Sequence, residues 1–183
     1  TPGKHSPDKS FFEYEYNRIL GKRIGNRLTE LGIDWCFTYS TDAENDLSRT
    51  QRANVANRWA SELGKNNVIL ISLHFNAASM GEWVEAEGFC VFSTKGNTVS
   101  DKFANIVVEE AEKILKPLKK KIRGHLESDF TVIYKTTCPS ILIEYGFYTD
   151  KSELEFLKSE EGLKAYEDLT VNAILRFIQN EAI

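Results

Sequence analysis

Apolar residues recur at the spacing of an α-helix in five segments of the chain. Residues 11–31 show this most clearly, because their apolar positions repeat every three or four residues and Gly32 follows them. Those positions are Phe12, Tyr16, Ile19, Leu20, Ile24 and Leu28. The same spacing predicts helices over 46–64, 97–116, 150–158 and 160–180.

Short apolar or β-branched runs between these segments predict strands. They cover residues 33–40, 67–74, 85–94, 130–134 and 140–144. The run at 67–74 is apolar on both faces, which is typical of a strand that helices cover on both sides. Since helices alternate with strands, the sequence predicts a single α/β domain with a mainly parallel central sheet and helices on both of its faces.

The composition is that of an ordinary globular domain and argues against several kinds of partner. With 183 residues, 42% of them hydrophobic, the chain can form one domain with a sizeable core. Its net charge of −4 gives no indication of a nucleic-acid partner. No segment approaches the ~18–20 apolar residues that span a bilayer. The three cysteines have no CxxC spacing, which argues against a disulfide framework and against a thiolate metal cluster.

Two of the predicted strands end in residues that can carry chemistry, His74 and Glu144. Ligands bind outside the carboxyl ends of strands in α/β sheets, because loops converge there. His74 can be a metal ligand, since imidazole is the commonest one in proteins, or it can be a structural histidine. Glu144 follows an apolar run, so burial should raise its pKa and suit it to acid–base chemistry. The alternative is a carboxylate that caps a helix or forms a salt bridge.

The helical spacing also directs one carboxylate inward. Glu13 lies about 25° from the centre of the apolar face of the first helix, whereas Glu15 lies more than about 130° away and should face solvent. A carboxylate that points to the interior requires a cation or a metal as its partner, because desolvating it alone is costly. The alternative to a metal is a salt bridge to an arginine such as Arg52.

One histidine and two carboxylates suggest a hydrolytic zinc site with one ligand still missing. Such sites use three protein ligands and a water, and a separate glutamate moves protons. The other two histidines are His5 and His125. His5 lies in a loop rich in Pro, Gly and Ser just before Glu13. His125 lies in the lysine-rich segment 114–125, where a surface histidine in a turn is expected.

Four segments carry motifs that occur in a fixed order along the chain. They are FFEYEYNRILGKRI (11–24), LSRTQRANVANRW (47–59), ILISLHFNA (69–77) and CPSILIEYGFYTDKSELEFL (138–157). Together they resemble the zinc-dependent N-acetylmuramoyl-L-alanine amidases, a family of bacterial cell-wall hydrolases and phage endolysins. A single motif such as S-x-H-x-N-A is only moderately specific, but the ordered set is a strong signal. The resemblance implies a fold like that of the zinc exopeptidases.

The resemblance also assigns roles to particular residues. In that family a histidine after the first strand, a glutamate on the first helix and a histidine in the S-x-H-x-N-A segment hold zinc. The resemblance therefore implies that Glu13, in the E-x-x-x-N pattern of residues 13–17, and His74 are zinc ligands. A glutamate in a late P-x-x-L-x-E segment acts in catalysis, which implies this role for Glu144. Asn76, two residues beyond His74, is a candidate for contacting the substrate or orienting a ligand.

The sequence departs from the family pattern at its start. The first histidine of the family sits in a G-H-G turn after an N-terminal strand, and residues 1–10 contain neither. His5 also lies closer to Glu13 than the family separation. We therefore expect that the catalytic domain, residues 1–183, is incomplete at its N-terminus and that the third ligand precedes Thr1. The alternative is that His5 has taken over the ligand role.

The resemblance implies hydrolysis of the amide between the muramoyl lactyl group and L-alanine in peptidoglycan, with Zn²⁺ as cofactor. We expect a monomer that acts at the cell wall, outside the cytoplasm, or that reaches the wall as a phage lysin. A zinc carboxypeptidase is one alternative. It would need an arginine for the terminal carboxylate of its substrate, and the sequence indicates none in the site region. A non-catalytic module that binds peptidoglycan without holding zinc tightly is the other alternative.

Overall fold

The computed structural model describes residues 3–39 and 47–181, which form six helices and four strands. The helices are α1 (Glu13–Glu30), α2 (Arg49–Leu63), α3 (Val99–Leu115), α4 (Thr131–Tyr134), α5 (Lys151–Lys158) and α6 (Glu160–Glu181). The strands are β1 (Leu70–Asn76), β2 (Phe89–Ser93), β3 (Ile122–Glu127) and β4 (Ser140–Phe147). Five of these helices fall where the helical spacing predicts them, with ends that differ by a few residues.

The four strands form one sheet in the order β1-β4-β2-β3. Strands β1 and β4 are parallel, and so are β2 and β3, whereas β2 and β4 are antiparallel. Two of the three pairings are therefore parallel, which confirms the predicted α/β fold with a mainly parallel sheet. The two central strands, β4 and β2, carry the most continuously buried residues, because helices cover both of their faces.

Helices cover both faces of the sheet, as predicted. Ile143 of β4 belongs to the larger hydrophobic core, which α1, α3, α5 and α6 form on one face. Its neighbour Leu142 points to the other face and packs in a smaller cluster with Leu70 of β1 and with Ala56 and Ala60 of α2. The smaller cluster does not cover the carboxyl ends of β1 and β4, which lie beyond it on the same face.

The predicted strand at 33–40 is wrong over its described residues, 33–39, which form no strand. Ser40 lies outside the described residues. Trp35 and Phe37 instead pack on two glycines of α1. A Cβ atom at Gly25 would lie 2.3 Å from Trp35, and one at Gly21 would lie 2.9 Å from Phe37. The aromatic residues of this run therefore pack against a helix rather than in the sheet.

The predicted strand at 130–134 is also wrong, because Thr131–Tyr134 form the short helix α4. Val132 and Ile133 are buried, whereas Phe130 and Tyr134, four positions apart, are exposed. This burial pattern has a helical period, but a run of five apolar or β-branched residues is too short to distinguish a helix from a strand.

Strand β3 was not predicted, because it lies at the end of the lysine-rich segment 114–125 that was interpreted as a turn. Its pairing with β2 shifts between Phe89 and Cys90, where Arg123 is an extra residue. Gly124 follows with a φ of +90°, a conformation that glycine adopts without strain. The bulge breaks the alternation of apolar and polar positions that would have indicated a strand.

Within residues 3–39 and 47–181, none of the helices is long and apolar enough to cross a membrane.

Candidate active site

The fold places His74 and Glu144 side by side. They are register partners on the parallel strands β1 and β4, so their side chains project from the same face of the sheet. This is the face of Leu70 and Leu142, since residues two or four positions apart on a strand share a face. Both residues lie at the carboxyl ends of their strands, beyond the helices that cover the smaller core.

Helix α1 brings Glu13 to the same place. The Oε1 atom of Glu13 lies 2.8 Å from Nδ1 of His74 and accepts a second hydrogen bond, of 3.3 Å, from the Phe75 N–H. Only 12% of the Glu13 side chain is exposed, whereas Glu15 is exposed. The helical spacing therefore gave the correct direction for both glutamates. The structure brings together the three residues that the sequence singled out, Glu13, His74 and Glu144.

Glu13 and His74 hold each other in their charged forms. Burial alone would raise the pKa of Glu13, but the hydrogen bond and charge of His74, with the Phe75 N–H, lower it below its ordinary value. Burial alone would lower the pKa of His74, but the hydrogen bond and charge of Glu13 and the charge of Glu144 raise it. The His74 side chain is 38% exposed, so a ligand can reach it from solvent.

The pKa of Glu144 is raised, whereas that of Glu13 is lowered. Burial raises its pKa from 4.5 to about 7, and the negative charge of Glu13 adds to this effect, while the charges of His74 and Lys4 oppose it. Its Oε2 atom is buried and has no hydrogen-bond partner among the described residues. A buried carboxylate oxygen without a partner is costly, and such atoms are common where a ligand or cation binds.

The three side chains fit a metal in chemistry but are too few to enclose it. Imidazole nitrogen and carboxylate oxygen are donors that zinc accepts, and Glu13 and His74 offer one of each on touching atoms. In the described part of the chain, no group of three or more His, Cys, Asp or Glu side chains is arranged to hold a metal ion. Among the described residues, this cluster therefore offers Glu13 and His74 as two potential metal ligands on touching atoms.

His5 has other contacts. Its Nδ1 lies 2.7 Å from the carbonyl oxygen of Ser6, and its ring packs edge-on against Phe12 with the ring centroids 5.7 Å apart. The backbone of His5 forms an isolated antiparallel bridge with Phe12, just before α1 begins. These contacts fix the segment that enters α1.

His125 lies on the opposite face of the sheet from His74, because its register partner Val91 also pairs with Ile143 of the larger core. Its Nε2 lies 2.7 Å from Oγ of Ser93, and its Nδ1 lies 3.2 Å from Oδ1 of Asn105. Its side chain is 18% exposed. The prediction of a surface histidine in a turn is wrong, because His125 lies in a strand and is largely buried against α3.

Asn76 continues the site along β1. It shares a face with His74, and its side-chain oxygen accepts a 2.8 Å hydrogen bond from the Ala77 N–H. This bond orients the carboxamide, so its NH₂ group is the part that can donate to a substrate. Arg52 donates to the carbonyl oxygen of Leu47 at 3.2 Å, and its guanidinium lies 5.1 Å from the ring centroid of Tyr39.

Comparison with known proteins shows which family the chain belongs to. The sequence model of the family described as N-acetylmuramoyl-L-alanine amidase matches residues 1–176. The chain belongs to this family. Of its curated relatives, the N-acetylmuramoyl-L-alanine amidase CwlM of Bacillus licheniformis is 28% identical over 138 residues. That match covers 75% of this chain and 49% of the relative, so the chain spans about half the length of CwlM.

Solved structures of amidases share the fold over nearly the whole chain. The N-acetylmuramoyl-L-alanine amidase from Clostridium difficile 630 has a TM-score of 0.81 and 25% identity, with 97% of this chain and 90% of that chain covered. The catalytic domain of CwlV, an N-acetylmuramoyl-L-alanine amidase from Bacillus (Paenibacillus) polymyxa var. colistinus, has a TM-score of 0.78 and 22% identity. Here 97% of this chain and 91% of that chain are covered. The fold predicted from the sequence is thereby confirmed.

The sequence analysis of this amidase-family chain did not identify two residues that lie near the site. Cys90 is the register partner of Glu144 on β2, and burial together with the charge of Glu144 raises its pKa to about 12, so the thiol stays protonated. Arg123 lies over the ring of Phe147, which is the register partner of Asn76. The sequence does not indicate the position of Arg123, because this position depends on strand β3 and its bulge, which the pattern of apolar and polar residues did not predict.

The raised pKa of Glu144 predicts a pH-dependent gain in stability when the residue is replaced by glutamine in protein freed of metal by a chelator. A carboxyl whose folded-state pKa is raised from 4.5 to about 7 contributes its full stability below the lower value. That contribution is lost as the pH rises through about 7. Glu144→Gln should therefore be more stable than the wild type by up to about 3 kcal/mol at pH 8 and equal to it near pH 4.

Urea unfolding of the two metal-free proteins at both pH values measures this difference. Glu127→Gln is the matched control, because Glu127 ends strand β3 but is exposed. Equal stabilities of wild type and Glu144→Gln at pH 8 would show that the folded protein does not penalise the charge on Glu144.

Proposed function

We propose that the chain is a zinc-dependent N-acetylmuramoyl-L-alanine amidase. The reaction is hydrolysis of the amide between the muramoyl lactyl group and L-alanine in peptidoglycan. Water supplies a hydroxyl to the acyl carbon and a proton to the leaving nitrogen. The observation that carries the proposal is the cluster of Glu13, His74 and Glu144. A buried oxygen of Glu144, which has no hydrogen-bond partner among the described residues, lies there beside two potential zinc ligands.

Glu13 and His74 are proposed as two of the zinc ligands. The Phe75 N–H holds one oxygen of Glu13 against β1, so the carboxylate is oriented before any metal binds. When bound, zinc supplies Lewis-acid stabilisation of the scissile carbonyl and lowers the pKa of a water toward about 7. His5 is an alternative candidate for the third ligand. Zinc binding that survives His5→Ala would exclude that alternative.

Glu144 is proposed as the general base and acid. It accepts a proton from the attacking water and delivers it to the leaving amine nitrogen, which would otherwise depart as an unstable anion. A pKa of about 7 suits both halves of this task, because the ionised and the protonated form are then both well populated near neutral pH. Burial of Glu144 on the face of the smaller hydrophobic cluster maintains this pKa.

Asn76 is proposed to position the substrate. Its carboxamide oxygen is engaged by Ala77, so the NH₂ group faces the open side of the sheet beyond His74. A donor at this place can bind a peptide or acetamido carbonyl of the substrate and fix the scissile amide relative to Glu144. The protein is further proposed to act as a monomer, on the cell wall or outside the cytoplasm.

Incubation of the zinc-loaded protein with purified peptidoglycan tests the proposed function. We expect new α-amino groups on L-alanine, and mass spectrometry should find free peptides that begin with L-alanine. Release of a single residue from the carboxyl end of the peptide would instead indicate a zinc carboxypeptidase. Sedimentation with peptidoglycan without any cleavage would indicate a binding module.

A further inference from the structure

A bulge in β3 turns one arginine toward the candidate active site. Strand β2 pairs Phe89 with Ile122 and then Cys90 with Gly124, so Arg123 is the extra residue. The positive φ of Gly124 completes the bulge. Because Cys90 also pairs with Glu144, the bulge lies on the strand pair next to the proposed general base.

The guanidinium of Arg123 is fixed in place but not neutralised. Its Nε donates a 2.8 Å hydrogen bond to the carbonyl oxygen of Glu87, and its central carbon lies 4.4 Å from the ring centroid of Phe147. These two contacts leave both terminal NH₂ groups available. Over the described residues, no carboxylate oxygen lies within 4 Å of this guanidinium. A fixed arginine with an open fork is the usual arrangement for binding a carboxylate with two hydrogen bonds.

Phe147 belongs to the same face of the sheet as the proposed catalytic residues. The pairing of β1 with β4 shifts between His74 and Asn76, so that Asn76 faces Phe147. Two residues of β1 therefore span three of β4, and Phe147 returns to the face of Glu144. The rise of a strand places the two side chains about 7 Å apart on that face. Arg123 thus overhangs the carboxyl end of β4.

Two of the three acidic groups that line the recess beside Arg123 are compensated by other partners. Lys121 lies 3.6 Å from the carboxylate of Glu87. The carboxylate of Asp150 accepts hydrogen bonds from the N–H groups of Ala86, Ser152 and Glu153. These acids therefore do not cancel the charge of the arginine, which remains exposed to solvent.

We propose that Arg123 binds a carboxylate of the peptide that leaves after cleavage, on the residue that follows L-alanine. This inference rests on the proposed function. The lactyl carboxyl of the substrate is consumed in the scissile amide, so negative charge near that bond lies on the peptide side. A residue of extended peptide spans about 3.3–3.6 Å, so a carboxylate one or two residues away reaches Phe147, about 7 Å from Glu144, and Arg123 lies over this ring. Arg123 then determines specificity and takes no part in the bond-breaking step.

Two small substrates test this assignment, N-acetylmuramoyl-L-alanyl-glutamate and the same compound with both glutamate carboxylates converted to amides. We expect the wild type to cleave the carboxylate form with a kcat/KM about 10–100-fold higher, since a charged bidentate pair contributes on this scale. Arg123→Gln should remove the preference by raising KM for the carboxylate form while kcat stays unchanged. Arg123→Lys should retain part of it, because a lysine keeps the charge but not the fork.

Lys95→Gln is the control for a lost positive charge, because Lys95 is exposed after the end of β2, near the start of β4 and away from Phe147, and the preference should survive. A wild type that cleaves both compounds equally, or an Arg123→Gln variant that loses activity equally on both, would overturn the assignment. If the wild type cleaves neither compound, the proposed function fails. The role of the arginine can then be tested by binding alone, by measuring the dissociation constants of both compounds for Glu144→Gln and for the double variant Glu144→Gln/Arg123→Gln. Glu144→Gln should bind the carboxylate form more tightly than the amide form. The double variant should bind both forms equally.

Discussion

Replacing Glu144 by glutamine should lower kcat for cleavage of the muramoyl–L-alanine amide by about 10²–10⁴-fold, the usual contribution of a general acid–base residue. Glutamine has the size and shape of glutamate, so the packing of β4 against β1 and β2 is retained. It cannot accept a proton from water or return one to the leaving amine. Release of L-alanine-terminated peptides from peptidoglycan, measured with equal zinc occupancy in both proteins, gives the ratio directly.

The same experiment contains its own controls. Glu127→Gln changes an exposed glutamate at the end of β3 and should leave kcat within a factor of about two, as expected for a surface substitution. Zinc content should be equal in the wild type and in Glu144→Gln, because Glu144 is not proposed as a ligand. If Glu144→Gln keeps most of its activity while holding one zinc, another group must move the proton and the assignment of Glu144 is wrong.

The sequence predicted the parts of the fold that repeat with a regular period. Helix α1 and helix α6 were predicted almost to their ends, because each has a long apolar face. Strands β1 and β4 were predicted because buried parallel strands are apolar on both faces. The conformation of the run at 33–39 was not predicted, because its aromatic side chains pack against glycines of α1. Such pairing depends on tertiary contacts that no local pattern reports.

The sequence likewise predicted some residues of the candidate site and not others. Glu13 follows from the phase of a helix, and His74 and Glu144 follow from the rule that ligands bind at the carboxyl ends of strands. Cys90 and Arg123 could not be placed, because their positions depend on the register of β2 against β4 and on a bulge in β3. One extra residue in a strand decides whether a side chain faces the site or solvent.

The contacts of Glu13 also explain how the site can be ordered before a metal binds. Its carboxylate joins the first turn of α1 to β1 through the imidazole of His74 and the Phe75 N–H. Phe11, just before α1, is fully buried and packs edge-on against Phe75, which fixes the start of the helix. The ion pair holds the two proposed ligands next to each other, with His74 Nδ1 2.8 Å from Glu13 Oε1. A zinc ion then has to displace only the proton shared between them.

Replacing Glu13 by glutamine should therefore abolish stable zinc binding. An amide is a much weaker zinc ligand than a carboxylate, and loss of a ligand should cost more than the roughly 10–100-fold in affinity that loss of a supporting hydrogen bond costs. Competition with a chromophoric chelator measures the zinc affinity without any need for activity. Glu15→Gln is the matched control, because Glu15 lies two residues away on α1 but is exposed, and it should bind zinc as the wild type does.

The metal-free form of Glu13→Gln provides a second and independent result. The hydrogen bond and charge of Glu13 raise the pKa of His74, so the substitution should let this pKa fall, as followed by NMR of the imidazole protons. A lower pKa of His74 with undiminished zinc affinity would show that Glu13 pairs with the histidine but does not bind the metal. Weaker zinc binding together with the lower pKa would assign both functions to the one carboxylate, as we propose.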